Sequence, residues 1–311
     1  MSGKPEPTAS PLTLSTLTSV AHAFEFVTTT LVHPVYFPYP YATTLHAARV
    51  SIAFQANVRA SKSRQSWGTH AAGFLIMAWG GGVISHILLG LHPAQLYSVH
   101  PYINYLAVHF VLTAFCSVFP SALNPRLFDT LLFPLDAILR VNAITAAVNL
   151  LSLPSVDSRL RGSPLTHAIL GAIGSAGGGT SAATLGAWTH AWSLSTPVFL
   201  RGRTEPGLFG WTAGTVDTLD LWAGSLIACL YAVLTAQPAF VGTPVYSLFA
   251  ATHLDEKPVL SPLGAKALCT LVLGSLFGFR VWWAHWRAVL SGAQASGSSG
   301  SGKKGRKVKS Q

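Results

Sequence analysis

The sequence predicts an all-α membrane protein of seven transmembrane helices, built as a three-plus-three inverted repeat with a closing seventh helix. Three observations carry this reading. Half of the 311 residues are apolar and only 10% are charged, against about a quarter in soluble domains. Apolar runs near the roughly 20 residues needed to cross a bilayer recur between gaps rich in charge, Pro or Gly. Two glycine triplets, Gly80-Gly81-Gly82 and Gly177-Gly178-Gly179, fall at matching places in the series of runs.

Residues 1–36 form an N-terminal segment whose run over 12–33 is rich in Ser and Thr, eight of 22 residues, and is closed by His33-Pro34. It predicts a short interfacial or re-entrant helix rather than a full span, and no cleaved signal peptide, because no small-residue cleavage site accompanies it. The first three-helix repeat, 37–119, holds spans at 37–58, 68–91 and 101–119. The second, 127–240, holds spans at 127–152, 165–190 and 216–240. Residues 262–285 form the seventh span, and 286–311 are Gly/Ser-rich and then basic. That last composition cannot bury a core and predicts a disordered cytoplasmic tail.

Charge in the short loops sets the orientation. With the N-terminus outside, the cytoplasmic side receives Arg59, Lys62, Arg64, Arg126, Arg201, Arg203 and the basic tail, while the opposite side receives Lys4, Arg159, Arg161 and Lys257. Excess Lys and Arg accumulate on the cytoplasmic side, so an odd span count and a lumenal N-terminus support each other. Each triplet lies in the second span of a three-span group, and three is odd, so the two groups run in opposite directions. Inverted halves whose altered helices meet near the midplane are a transport architecture.

Three successive glycines cost roughly 1 kcal/mol each relative to Ala in a helix. The compensation is either close helix packing or a kink that opens backbone carbonyls to a water-filled path. Intramembrane charges are the second clue, since each is expensive and faces protein or water. Arg49 lies deep in span one. Asp136 and Arg140 stand four apart in span four, on one helical face. Lys266 opens span seven, and Asp217, Asp220 and Arg280 read as residues near span ends. The twelve histidines show no HxxxH or HExxH spacing, and no Walker A or GxSxG motif occurs, so neither an enzyme nor a metal centre is expected. Cys116, Cys229 and Cys269 sit within apolar segments and read as small buried hydrophobes.

The order of these features resembles the trimeric intracellular cation channels, over about residues 33 to 285. The resemblance is carried by HPVYFPYPYATTLHAARVSIAFQ at span one, Trp67 leading to AWGGGVISHILLG in span two, Phe133-Pro134 opening span four, GAIGSAGGGTSAA in span five, Gly224 in span six, and a closing span. It implies a homotrimer with a pore in each subunit, bent at Gly80–Gly82 and Gly177–Gly179, and matches Lys266 to a basic position; the intramembrane charges Arg49, Asp136 and Arg140 would line or gate that path. It also implies potassium counter-current for calcium release in endoplasmic reticulum or nuclear membranes. Phosphoinositide lipid would bind at a Lys-Glu-Val stretch of span four. The corresponding VNAITAAVN has no such pair, and Arg140 is the basic residue nearest to it. No other cofactor is implied. A secondary transporter of a small solute and a non-transporting membrane scaffold are the rival readings.

Overall fold

The computed structural model describes residues 11–119, 125–200, 216, 218–249 and 258–287. Asp217, Arg201, Arg203 and the basic tail beyond Arg287 lie outside the described residues. The chain is mostly helical. It runs α1 (Pro11–Thr29), β1 (Leu31–His33), β2 (Phe37–Pro40), α2 (Tyr41–Ser61), α3 (Trp67–Leu88), α4 (His100–Val118), α5 (Pro125–Asn149), α6 (Ser158–Arg161), α7 (Pro164–Leu185), α8 (Leu219–Leu234), α9 (Pro244–Phe249) and α10 (Pro262–Val281), the last continued by a π turn over Trp282–Trp286.

Each expected span overlaps a helix. Four stretches, Trp67–Leu88, His100–Val118, Arg126–Ser152 and Pro262–Trp286, are both long and apolar enough to cross a membrane. They make the chain a multi-pass, membrane-type protein. The helices α2 and α7 are long enough but more polar, and α8 is shorter at 16 residues.

The fold departs from the all-α expectation at residues 31–40. There β1 and β2 pair antiparallel, Leu31 against Pro40 and His33 against Phe37. The His33 ring closes the turn, its Nδ1 accepting the backbone N–H groups of Val35 (3.2 Å) and Tyr36 (3.0 Å). Helix α2 therefore begins at Tyr41, after three prolines, rather than at residue 37. The N-terminal run, expected to be short, forms the 19-residue α1, which sends Phe24 into the core beside Ala265 and Cys269.

Helix starts follow local chemistry. The hydroxyls of Ser66, Ser163 and Ser261 cap α3, α7 and α10 by accepting the N–H groups of Thr69, Thr166 and Gly264. Pro164 and Pro262 occupy first helical positions, where a missing N–H costs nothing. Gly186 ends α7 at φ 61°, the left-handed conformation that glycine adopts without penalty.

Two apolar clusters organise the bundle. Ala137, Val141, Ile144 and Val148 of α5 meet Ala223, Ile227 and Tyr231 of α8 and Ala265, Cys269, Leu273 and Phe277 of α10, all at helical spacing. The first group closes around Ala47, Phe54 and Phe74. Lipid is as apolar as these side chains, so their contribution comes from packing density rather than escape from water.

Candidate functional site

Both glycine triplets lie in uninterrupted helix, and they meet. A Cβ on Gly81 would stand 2.5 Å from the Ile173 carbonyl oxygen, one on Gly177 would stand 2.7 Å from the Gly81 Cα, and one on Gly178 would overlap the Met77 carbonyl. Gly80 faces Ser181 and Gly178, and farther along Gly73 faces Ala187. Rising numbers on α3 thus meet falling numbers on α7, and the two helices cross antiparallel. The third glycines differ, because Gly82 and Gly179 have nothing within 4 Å. In each triplet the first two residues let the backbones touch and the third leaves open space. Helix α7 uses glycine against two further partners, Gly171 on Gly224 of α8 and Gly174 on Ala143 and Ala147 of α5.

The open side of this crossing borders a cavity of about 870 Å³ among α2, α3, α4, α5, α7, α8 and α10, and its lining includes Gly81, Gly82, Gly178 and Gly179, with His46 and Tyr105. At one end lie Gln95, Ala147 and Leu150. At the other lie Asp129, Asp220 and His285. At 1.5 Å per residue, Asp129 and Leu150 stand about 30 Å apart along α5, the thickness of a hydrocarbon core.

The charges collect at the second end, where α5 and α8 begin and α10 finishes. Arg49 of α2 donates from Nη2 to Asp129 Oδ1 at 3.2 Å, and its Nε lies 3.9 Å from Asp136 Oδ1. Arg140 lies 3.6 Å from both Asp136 Oδ2 and Asp220 Oδ1, and its Nη1 donates to the Ser175 carbonyl of α7. Arg280 donates to Asp220 Oδ1 at 2.8 Å and approaches Asp136 Oδ2 at 4.0 Å. Phe277 lies beneath two of these cations, its ring centroid 5.5 Å from the Arg140 guanidinium carbon and 4.5 Å from that of Arg280. His285 Nε2 completes the set at 3.1 Å from Asp129 Oδ2. Three arginines and three aspartates balance, and His285 adds a positive charge only when protonated.

The i,i+4 pairing of Asp136 with Arg140 is present as the spacing predicts, and Arg49 joins it from another helix. Lys266 does not. Its ammonium lies 5.4 Å from the Phe24 ring centroid, on the α1 side of α10, and it is absent from the cavity lining. Arg140 faces into the cavity and is engaged there by two carboxylates and a carbonyl. Asp129, Asp220, Arg280 and His285 extend the set beyond the sequence reading. Asp129 carried a usable signal, since positions 129, 136 and 140 are spaced seven and four apart on one helical face. Asp220 and Arg280 read as end residues because they sit near helix termini, where side chains ordinarily snorkel to water. His285 lies in the π turn Trp282–Trp286 that continues α10, and no residue spacing in the sequence marked it.

A second polar system is neutral and joins α2 to α4, which run side by side in the same direction. Thr44 donates to Asn104 Oδ1 (3.2 Å), His46 Nδ1 pairs with the Tyr105 hydroxyl (2.9 Å), and Ser51 Oγ pairs with His109 Nδ1 (2.8 Å). Gln55 donates to Ser51, and His109 Nε2 meets His70 Nδ1 of α3 at 3.0 Å. His109 is fully buried and lies flat on Phe74, with ring centroids 3.9 Å apart.

No protein-family model, curated protein or solved structure matches the chain.

Proposed function

We propose that the chain is a monovalent-cation channel of an intracellular membrane, of endoplasmic-reticulum or nuclear type, passing potassium through a path within each subunit of a homotrimer. The observation that carries this reading is the cavity between the two triplet-bearing helices, about as long as a bilayer core is thick and charged at one end. In this reading α2–α4 and the group α5, α7 and α8 are the inverted halves, α10 is the closing seventh span, and the charged end faces the cytoplasm.

The preference for cations follows from exposure. Side chains of Asp129 and Asp220 each keep 35% of their surface open and that of Asp136 10%, against 22% for Arg49 and Arg140 and 25% for Arg280. The guanidinium groups are turned onto carboxylates, a carbonyl and the Phe277 ring, which leaves the Asp129 and Asp220 carboxylates as the acids an ion would meet. Walls of low dielectric focus such a field along the path.

The test is planar-bilayer recording of the purified full chain in a potassium chloride gradient. Discrete openings with a cation-selective reversal potential are expected, and Asp129→Asn with Asp220→Asn should move that potential toward zero. Saturable, gradient-coupled uptake in place of openings would assign a transporter. Silence from folded protein would remove the channel reading and favour a scaffold.

A further inference from the structure

We infer that His285 is a proton-operated latch on the charged end of the cavity, lowering cation passage when its ring is protonated. The inference rests on the conduction reading above and adds the stimulus that regulates it.

The geometry centres on Asp129, whose two oxygens are divided between two elements. Oδ1 accepts from Arg49 of α2 and Oδ2 faces His285 of the π turn after α10. A neutral ring offers that carboxylate one hydrogen bond and leaves its charge shared with Arg49 alone. A protonated ring makes a second ion pair, so Asp129 is held between two cations and the cavity set goes from balanced to a net positive charge. The carboxylate so neutralised is one of the two most exposed acids in the path.

The groups around the ring support a local response. From α5 come Asp129, Asp136 and Arg126, the last lying over the neighbouring Trp286 ring at 5.7 Å. From α2 comes Arg49, from α8 Asp220, and from its own helix Arg280 and Arg287, the last over Trp283 at 4.0 Å. Trp286 donates to Thr130 Oγ1 at 3.2 Å and pins the π turn to the first turns of α5. The ring is thereby kept at Asp129 in both protonation states, and titration changes charge without requiring a large movement.

The test records potassium current through the full chain while the bath on the α10 C-terminal side is taken from about pH 8 to about pH 5, the interval in which histidine changes charge. The parent is expected to lose about threefold or more of its current toward the acid end, the scale on which one added charge acts in a focused field. His285→Gln should hold its current flat. His190→Gln, whose ring sits at Ser63 outside the cavity, should follow the parent. A pH response that persists in His285→Gln, or a parent indifferent to pH, overturns the latch. If folded protein carries no current at any pH, the conduction reading fails and thermal unfolding decides the latch. The ion pair with Asp129 exists only with the ring protonated, so the gap in midpoint between parent and His285→Gln must widen at the acid end and must not do so in an Asp129→Asn background. A gap equal at both ends overturns it.

Discussion

The charged end of the cavity ties four elements together with full charges, whereas the seam between α2 and α4 ties two helices together with neutral pairs. Arg49 reaches from α2 to Asp129 and Asp136 of α5, and Arg140 and Arg280 draw in α8 and α10. The seam instead pairs hydroxyls, amides and imidazoles that never need a charge. Buried neutral groups in a membrane protein are satisfied by neighbouring side chains, and the pairing adds modest glue. Charges persist only where protein or water receives them, and here the cavity does so. The seam therefore reads as the internal fastening of one three-helix group. The charge cluster is where Arg49 of α2 ties that group to α5, beside the backbone contact of α3 with α7.

Both regions depend on the crossing of α3 with α7, since α3 supplies His70 to the seam and Gly82 to the cavity. The largest effect is expected there. Gly178→Ala should cost about 3 kcal/mol or more, because the new methyl meets the Met77 carbonyl rather than a side chain that could turn away. Gly179→Ala, one residue on, has open space and should leave the unfolding temperature nearly unchanged while narrowing the path. Thermal unfolding of the two variants in detergent separates them. Equal stability would mean that the triplets do not mediate contact. A Leu at Gly81 or Gly178 would test folding rather than conduction for the same reason.

The next effect tests the comparison itself. Arg49→Met leaves Asp129 and Asp136 each without one cation. A fully buried partner lost in this way costs about 3–5 kcal/mol, and with side chains still 22% and 35% exposed about 2 kcal/mol is expected. Adding Asp129→Asn should recover part of it. His109→Leu breaks the seam at its most buried point, and about 1 kcal/mol is expected, in line with hydrogen bonds between membrane helices. The two should differ in kind as well. Arg49→Met should change ion selectivity in bilayer recordings, and His109→Leu should not. His46 and Tyr105 of the seam line the cavity, so a selectivity change in both variants would put His109 on the path as well.

The helices were readable because apolar runs bounded by charge, Pro or Gly are local signals, and each expected span overlaps a helix. The hairpin at 31–40 was not, because an aromatic-proline run satisfies a hydropathy search as well as a helix does, and only the pairing of Leu31 with Pro40 distinguishes them. The triplets were legible as a feature but not as a division of labour. Sequence gives the cost of three glycines, and only the crossing reveals that two of them touch backbone and one does not. Asp136 and Arg140 share a helix, so their spacing declared them. Asp129, Asp220, Arg280 and His285 gather from three helices, and no one-dimensional pattern links α8 to α10. Lys266 was misleading for another reason. It opens span seven and entered the pore set through the resemblance, and it lies on the face of α10 that meets α1.

The smallest expected effect comes from a charged pair outside both regions and sets the zero of the comparison. Asp157 caps the four-residue α6, accepting the Arg159 N–H at 2.8 Å, and its carboxylate also pairs with the Arg159 guanidinium at 2.8 Å. The side-chain and backbone hydrogen bonds from Arg159 hold the Asp157 carboxyl below the usual carboxylate range. A carboxyl lowered in the folded state adds stability that is present above its unfolded value, about 3.9, and is lost as pH falls through the folded value. Its contribution is therefore constant from about pH 5 to about pH 8, the interval in which histidine titrates. An exposed pair of this kind is screened by water, and Asn also serves as a helix cap. Unfolding curves of Asp157→Asn and the parent should run parallel across that interval. A gap that changes with pH there would mean that this loop is coupled to the cavity charges, and the neutral and charged regions could no longer be treated as separate.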